Sequence, residues 1–214
     1  MEERDYEESM PVDIRSSVDR FEEMVRKQDA CFFDVITFEH IVNFYEQKEQ
    51  WKKAIHVMDV AISQHPYSPW FLTKKASLLI YFKKYKQALE LIDQAEAMDP
   101  NDVSLYILRS DIYLEKNQHR RSIEILTDAL RISDQSDREE IHLEIADVYE
   151  DWDKYDKVFE SLKEVLMINQ DNEEALSRMW YCVELAKKHE ESIELHNKIL
   201  DNNPYSYLAW HNLG

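Results

Sequence analysis

The chain has 214 residues, 44% hydrophobic and 33% charged, with one glycine and five prolines, too few turn formers for a loop-rich or β-rich architecture. An all-α chain that can bury a continuous core is what remains. Lys and Arg number 26 against 44 Asp and Glu, a formal net charge of −18, which opposes a phosphate backbone and argues against nucleic acid as a partner.

Residues 1–15 are acidic, carry Met10-Pro11 without a helical period, and are expected to be disordered. They lack the basic and apolar regions of a signal peptide, and no later stretch approaches the ~18 apolar residues of a membrane span. The expected compartment is therefore the cytoplasm. Residues 16–34 read as a capping helix and linker, with Ser16 as N-cap, an apolar stripe of Val18, Phe21, Met24 and Val25, and Cys31-Phe32-Phe33 packing beneath it. Cys31 and Cys182 do not form a disulfide framework.

Helix pairs then follow one another: 35–48 with 51–64, 69–82 with 86–98, and 103–116 with 119–132. Ser68-Pro69 supplies an N-cap and a proline at the first helical position of the second pair. Residues 133–137 hold two extra residues and are expected to be the loosest joint. Pairs at 139–151 with 155–168 and 173–187 with 190–202 complete the series.

These pairs repeat. Val42, Ala76, Ser110, Ala146, Trp180 and Gly214 recur at steps of 34, with one step of 36 between Ser110 and Ala146. Ala54, Ala88, Ser122, Val158 and Ser192 lie twelve residues later, and Ala61, Ala95, Ala129, Val165 and Ile199 seven further on. A ring stands between them at Trp51, Tyr85, His119, Tyr155 and His189. Small residues at the first two positions let paired helices approach, and the third admits the next pair. Trp210, Leu213 and Gly214 have the spacing W-x-x-L-G, with Pro204 before them. Over residues 35–214 the chain resembles the tetratricopeptide repeat family: five repeats and the start of a sixth. The resemblance implies a right-handed α-solenoid of helix-turn-helix repeats behind the N-terminal capping helix. Trp180 departs from it, and is expected to splay its two helices or to turn outward.

No catalytic or cofactor motif is present. His189 and His196 lack zinc spacing with any cysteine, and His119 and His189 read as packing rings. Asp151-Trp152-Asp153-Lys154-Tyr155-Asp156 lacks the Gly and the Glu of a calcium loop, and reads as a solvated turn. One terminal glycine leaves no phosphate loop or dinucleotide fingerprint. The expectation is no enzyme, no metal and no cofactor.

In the family, the first helix of each repeat lines a concave groove. Carried over, its positions give Glu39, Asn43, Glu46, Trp70, Ser77, Tyr81, Asp111, Glu140, Asp147, Glu150, Tyr181 and Glu184 as partner-binding residues. Asn43 matches a position that grips a peptide backbone in many members. From Asp111 to Glu184 the groove is acidic, with few cations. The implied function is a non-catalytic protein–protein interaction scaffold holding a basic or amphipathic peptide or helix. The alternative is a substrate-recruiting repeat arm of a larger enzyme or assembly whose remaining domain lies beyond Gly214. Self-association through the C-terminal face is a further expectation.

Overall fold

The computed structural model describes residues 12–213, which form twelve helices and no strand. The helices are α1 (Val12–Lys27), α2 (Val35–Gln47), α3 (Trp51–Gln64), α4 (Pro69–Tyr81), α5 (Tyr85–Glu96), α6 (Val103–Leu114), α7 (His119–Ile132), α8 (Gln135–Asp151), α9 (Tyr155–Ile168), α10 (Glu173–Ala186), α11 (His189–Asn202) and α12 (Tyr207–Leu213). The chain packs as two compact units, one ending at Pro100 and one beginning at Asn101. None of these helices is long and apolar enough to cross a membrane. The expected disorder of residues 1–15 falls largely outside the described residues. Those described within it, from Val12, already belong to α1, so Ser16 lies inside the helix and does not cap it.

The first unit builds α1 onto the pairs α2/α3 and α4/α5. Val18, Phe21 and Met24 bury one face of α1, while Val25 of the expected stripe is exposed. Phe21 meets Phe33 and Phe38 at ring distances of 6.0 and 6.4 Å, and Phe38 meets Phe71 edge-on at 5.8 Å. Phe33 is buried as expected, but Phe32 faces solvent. A polar clamp closes the same joint: Tyr45 donates to Glu22 at 3.0 Å and Lys53 donates to the same carboxylate at 2.7 Å.

The second unit contains the pairs α6/α7, α8/α9 and α10/α11, followed by the short α12. Its core runs through Leu126, Ile141, Phe159, Leu162, Leu166 and Met179, all fully buried. At the crossing of α6 and α7 both small residues are serines, whose buried hydroxyls bond each other at 2.6 Å. The two extra residues do not loosen this unit. They extend α8, whose first turn is fixed by Asp134 accepting from the Ser136 and Asp137 amides. Asp34, Asp102 and Asn172 cap their helices in the same manner, whereas Ser68 caps without a side-chain bond.

Each paired turn closes in the same way. Glu49, Lys83, Asn117, Asp153 and Lys187 adopt φ of 54–58°, the left-handed region. The next amide reaches back to the carbonyl five residues earlier: Gln50 to Tyr45, Lys84 to Leu79, Gln118 to Tyr113 and Lys154 to Tyr149 at 2.8 Å, and Lys188 to Val183 at 3.2 Å. This is the helix C-terminal motif that favours glycine, because a Cβ crowds the left-handed conformation. The chain has no glycine there and accepts the cost at every turn.

Trp180 both turns outward, 57% exposed, and keeps its helices apart: α10 and α11 come close along far less of their length than the other pairs. His189, expected to pack as a ring, is consequently left mostly in solvent beside Glu184 at 3.8 Å. His119 does pack, stacked on Trp152 at 5.3 Å.

These contacts generate two stability predictions. Asp153→Gly and Lys187→Gly relieve the left-handed strain and are expected to raise stability by about 0.5–1 kcal/mol each in urea unfolding. Ser110→Ala leaves the Ser122 hydroxyl buried without its partner and is expected to cost about 1 kcal/mol, most of which Ser110→Ala/Ser122→Ala recovers.

Candidate functional site: charged faces of the repeat helices

In the first unit, Glu39, Asn43 and Glu46 stand on α2, and Trp70, Ser77 and Tyr81 on α4. Glu46 pairs with Lys74 at 2.9 Å, so its charge is already met from the next pair. Trp70 packs edge-on against Phe71 at 5.1 Å. The Tyr81 ring lies 5.1 Å from those of both Trp51 and Phe82, at the turns.

In the second unit, the carboxylates divide into two groups. Arg178 gathers the first: its guanidinium bonds Asp147 at 2.6 Å, Glu150 at 2.8 Å and Glu174 at 3.0 Å. Tyr181 donates to the other oxygen of Glu150 at 2.5 Å. Although burial opposes its charge, Arg178 is held firmly protonated by Asp147, Glu150 and Glu174. The Tyr181 hydroxyl is pushed up to about 12 by burial and by its bond to Glu150.

The second group is Asp111 on α6 and Glu144 on α8, both half-buried and without an ion pair among the described residues. Burial first, then the charges of Asp147 and Glu115, raises Asp111 to about 6. Burial, followed by Asp111, Asp147, Glu140 and Glu174, raises Glu144 to about 7. Asp147 is also raised, chiefly by burial, despite Arg178. Glu140 thus contributes to this negative field. Glu184 instead lines a pocket of about 230 Å³ with Trp180, His189 and His211, between α10, α11 and α12.

Arg178 and Glu144 are absent from the expected set, and a signal for them exists in the register. Lys74 and Glu46 are 28 residues apart, as are Arg178 and Glu150. Each pair joins the same two positions of successive repeats. Glu144 holds in its repeat the position that Arg178 holds in the next, and Asp111 holds the position of Asp147. One step of the register therefore sets carboxylate against carboxylate where the step after it sets Arg178 against carboxylates, and the step before it carries Leu108 at that position.

No group of His, Cys, Asp and Glu among the described residues could hold a metal ion. Cys31 and Cys182 are free thiols, and burial pushes Cys182 up to about 12. His196 is fully buried, donates from Nδ1 to the Ser192 carbonyl at 2.8 Å and accepts from Asn212 at 3.0 Å. That geometry makes it a structural, neutral ring anchoring α12.

The raised carboxylates generate a stability prediction. Their folded-state values lie above the ordinary 3.8 of Asp and 4.5 of Glu, so the folded chain holds these protons more tightly than the unfolded one. Stability from these groups is complete at low pH and is lost as pH rises from about 4 to 7. Asp111→Asn and Glu144→Gln are each expected to stabilise the chain by roughly 1 kcal/mol at pH 8, and to have little effect at pH 4. Thermal melts at both pH values check this.

Against known proteins, a model of the tetratricopeptide repeat matches residues 103–136. Among solved structures, the fold is similar to a chain of the APC/C hetero-tetramer Cut9–Hcn1, with a TM-score of 0.58 at 13% identity, over 83% of this chain and 35% of that one. It therefore spans about a third of that chain's length. TTC0263 from Thermus thermophilus, a tetratricopeptide-repeat protein, aligns with a TM-score of 0.56 at 20% identity, over 80% of this chain and 93% of that one. MamA from Desulfovibrio magneticus gives 0.56 at 11% identity, over 79% and 95%. No curated protein matches the sequence. Likenesses at these identities establish the fold and nothing finer.

Proposed function

We propose that this chain, which matches the tetratricopeptide repeat over residues 103–136 and shares the fold of tetratricopeptide-repeat proteins, acts without catalysis by holding a basic or amphipathic segment of a partner. The helix pairs are then five repeats and the opening of a sixth, capped by α1, and the acidic face of the second unit is the receiving surface. One observation carries this reading: Asp111 and Glu144 stand at the register positions that Asp147 and Arg178 hold one step on, yet neither has an ion pair among the described residues. A Lys or Arg of the partner would supply there the cation that the chain supplies itself elsewhere. Half-buried carboxylates gain more from such a cation than exposed ones do, since solvent screens them less.

Apolar surface for the rest of a partner segment lies close by in sequence on the same helices, at Ile107 and Leu114 on α6 and Leu143 on α8, all partly buried. Such contacts supply most of the affinity of a peptide complex, while the charges govern encounter and exclude competitors of the wrong sign. The Arg178 cluster plays a different part. It keeps Asp147, Glu150 and Glu174 in place, so these three are met within the chain while Asp111 and Glu144 are not.

The test is a fluorescence anisotropy titration of the full chain with a labelled amphipathic peptide rich in Lys and Arg. Asp111→Asn/Glu144→Gln is expected to weaken binding about tenfold, the equivalent of one lost charge-assisted contact. Affinity should rise from pH 5.5 to pH 8 in the wild type as the two carboxyls ionise, and stay flatter in the double variant. Equal affinity of wild type and variant at pH 8 would sink the reading.

A further inference from the structure

The cations of this acidic chain are unevenly placed. In the first unit, residues 48–53 and 81–86, at the turns joining α2 to α3 and α4 to α5, carry Lys48, Lys52, Lys53, Lys83, Lys84 and Lys86 against the single carboxylate of Glu49. Both turns are fixed by the left-handed closures at Glu49 and Lys83. They are also neighbours in space, because Trp51 of one lies 5.1 Å from Tyr81 and 6.4 Å from Phe82 of the other. Glu49, Gln50, Trp51, Lys52, Lys53 and Phe82 line an open cleft of about 590 Å³ between them. Tyr81 stands beside it, 64% exposed.

Not all of these cations are available. Lys53 is held by Glu22 at 2.7 Å, and Lys48 lies over the Phe44 ring at 4.7 Å. Lys52, Lys84 and Lys86 are exposed and form no ion pair among the described residues. We propose that this edge docks an acidic partner segment with one apolar side chain: the side chain enters the cleft over Trp51 and Phe82, and the flanking carboxylates meet Lys52, Lys84 and Lys86.

Charge complementarity identifies the occupant. A chain of net charge −18 repels acidic segments at long range, so one can settle only where cations are concentrated and an apolar contact adds to them. The cleft accounts for the second requirement, since a ring or aliphatic side chain packed onto aromatic side chains is a common anchor of a small interface. An anionic membrane fits less well. Its binding needs rings that project into the bilayer, whereas Trp51 forms the wall of a depression. This site does not rest on the basic-segment reading, for it lies in the other unit and selects the opposite charge.

The experiment is anisotropy with a fluorescein-labelled peptide of Asp and Glu around a single Phe, about ten residues long, titrated with the full chain. Binding is expected to fall about tenfold with Lys52→Glu/Lys84→Glu/Lys86→Glu, and by a similar factor when the peptide's Phe is replaced by Ser. Asp111→Asn/Glu144→Gln should leave it unchanged. Circular dichroism melts confirm that the charge-reversed chain is folded, as substitution of exposed lysines should allow. No binding, binding that survives the charge reversal, or equal binding of the peptide lacking Phe each overturns the proposal. So does sedimentation with phosphatidylserine vesicles that the charge reversal abolishes, which assigns the edge to membrane. A dimer on gel filtration that the same reversal dissociates overturns it too, and assigns the edge to a second copy of the chain.

Discussion

Close approach of paired helices is the constraint on which the rest of the structure depends. Ala54, Ala61, Ala76, Ala88, Ala95, Ala129 and Ala146 are all fully inaccessible, and Ser110 and Ser122 stand at equivalent crossings. A larger side chain at such a crossing separates the axes, and every contact that flanks it then loosens. Trp180 demonstrates this within the chain itself. Its ring is expelled to solvent, α10 and α11 part, His189 loses its packing role, and a pocket opens toward α12. The tip of the second unit is therefore built differently from its middle, through one residue.

The same regular spacing organises the charges. A repeat brings equivalent positions of successive helices together, so a cation at one position meets an acid from the repeat before it, as Lys74 meets Glu46 and Arg178 meets Glu150. These pairs are partly shielded and hold neighbouring helices in register without adding a large stability. When the pattern changes sign, the geometry persists and the carboxyls respond by holding protons more tightly, as Asp111 and Glu144 do. In the lysine-rich turns of the first unit, Lys52, Lys84 and Lys86 likewise form no ion pair among the described residues.

Helix limits read from hydrophobic period lie within a few residues of those observed, and the small positions fall at the crossings. Several details are not legible in the sequence. The left-handed turns at Glu49, Lys83, Asn117, Asp153 and Lys187 carry none of the glycine that marks such turns, so their regular spacing leaves no residue signal. The two residues between the third and fourth pairs look like loop because they are polar. Asp134 instead caps them into α8, a local choice that capping chemistry favours once the preceding helix has ended. Arg178 does not stand out because its helix, taken alone, shows only an isolated cation among acids. Its three partners are brought to it by α8 and by its own preceding turn.

The amino-acid sequence alone determined the class of structure, since period, small-residue spacing and scarcity of glycine are local properties that survive without coordinates. It also determined the sign and size of the overall charge. Only tertiary structure decided which charges are spent within the chain and which remain. Whether a carboxylate is met depends on distances between helices some thirty residues apart, as between Arg178 and Glu150, and on how much water each group keeps. It likewise decided that Tyr81 meets Trp51 at the turns, because ring contacts between successive pairs follow from how the helices cross.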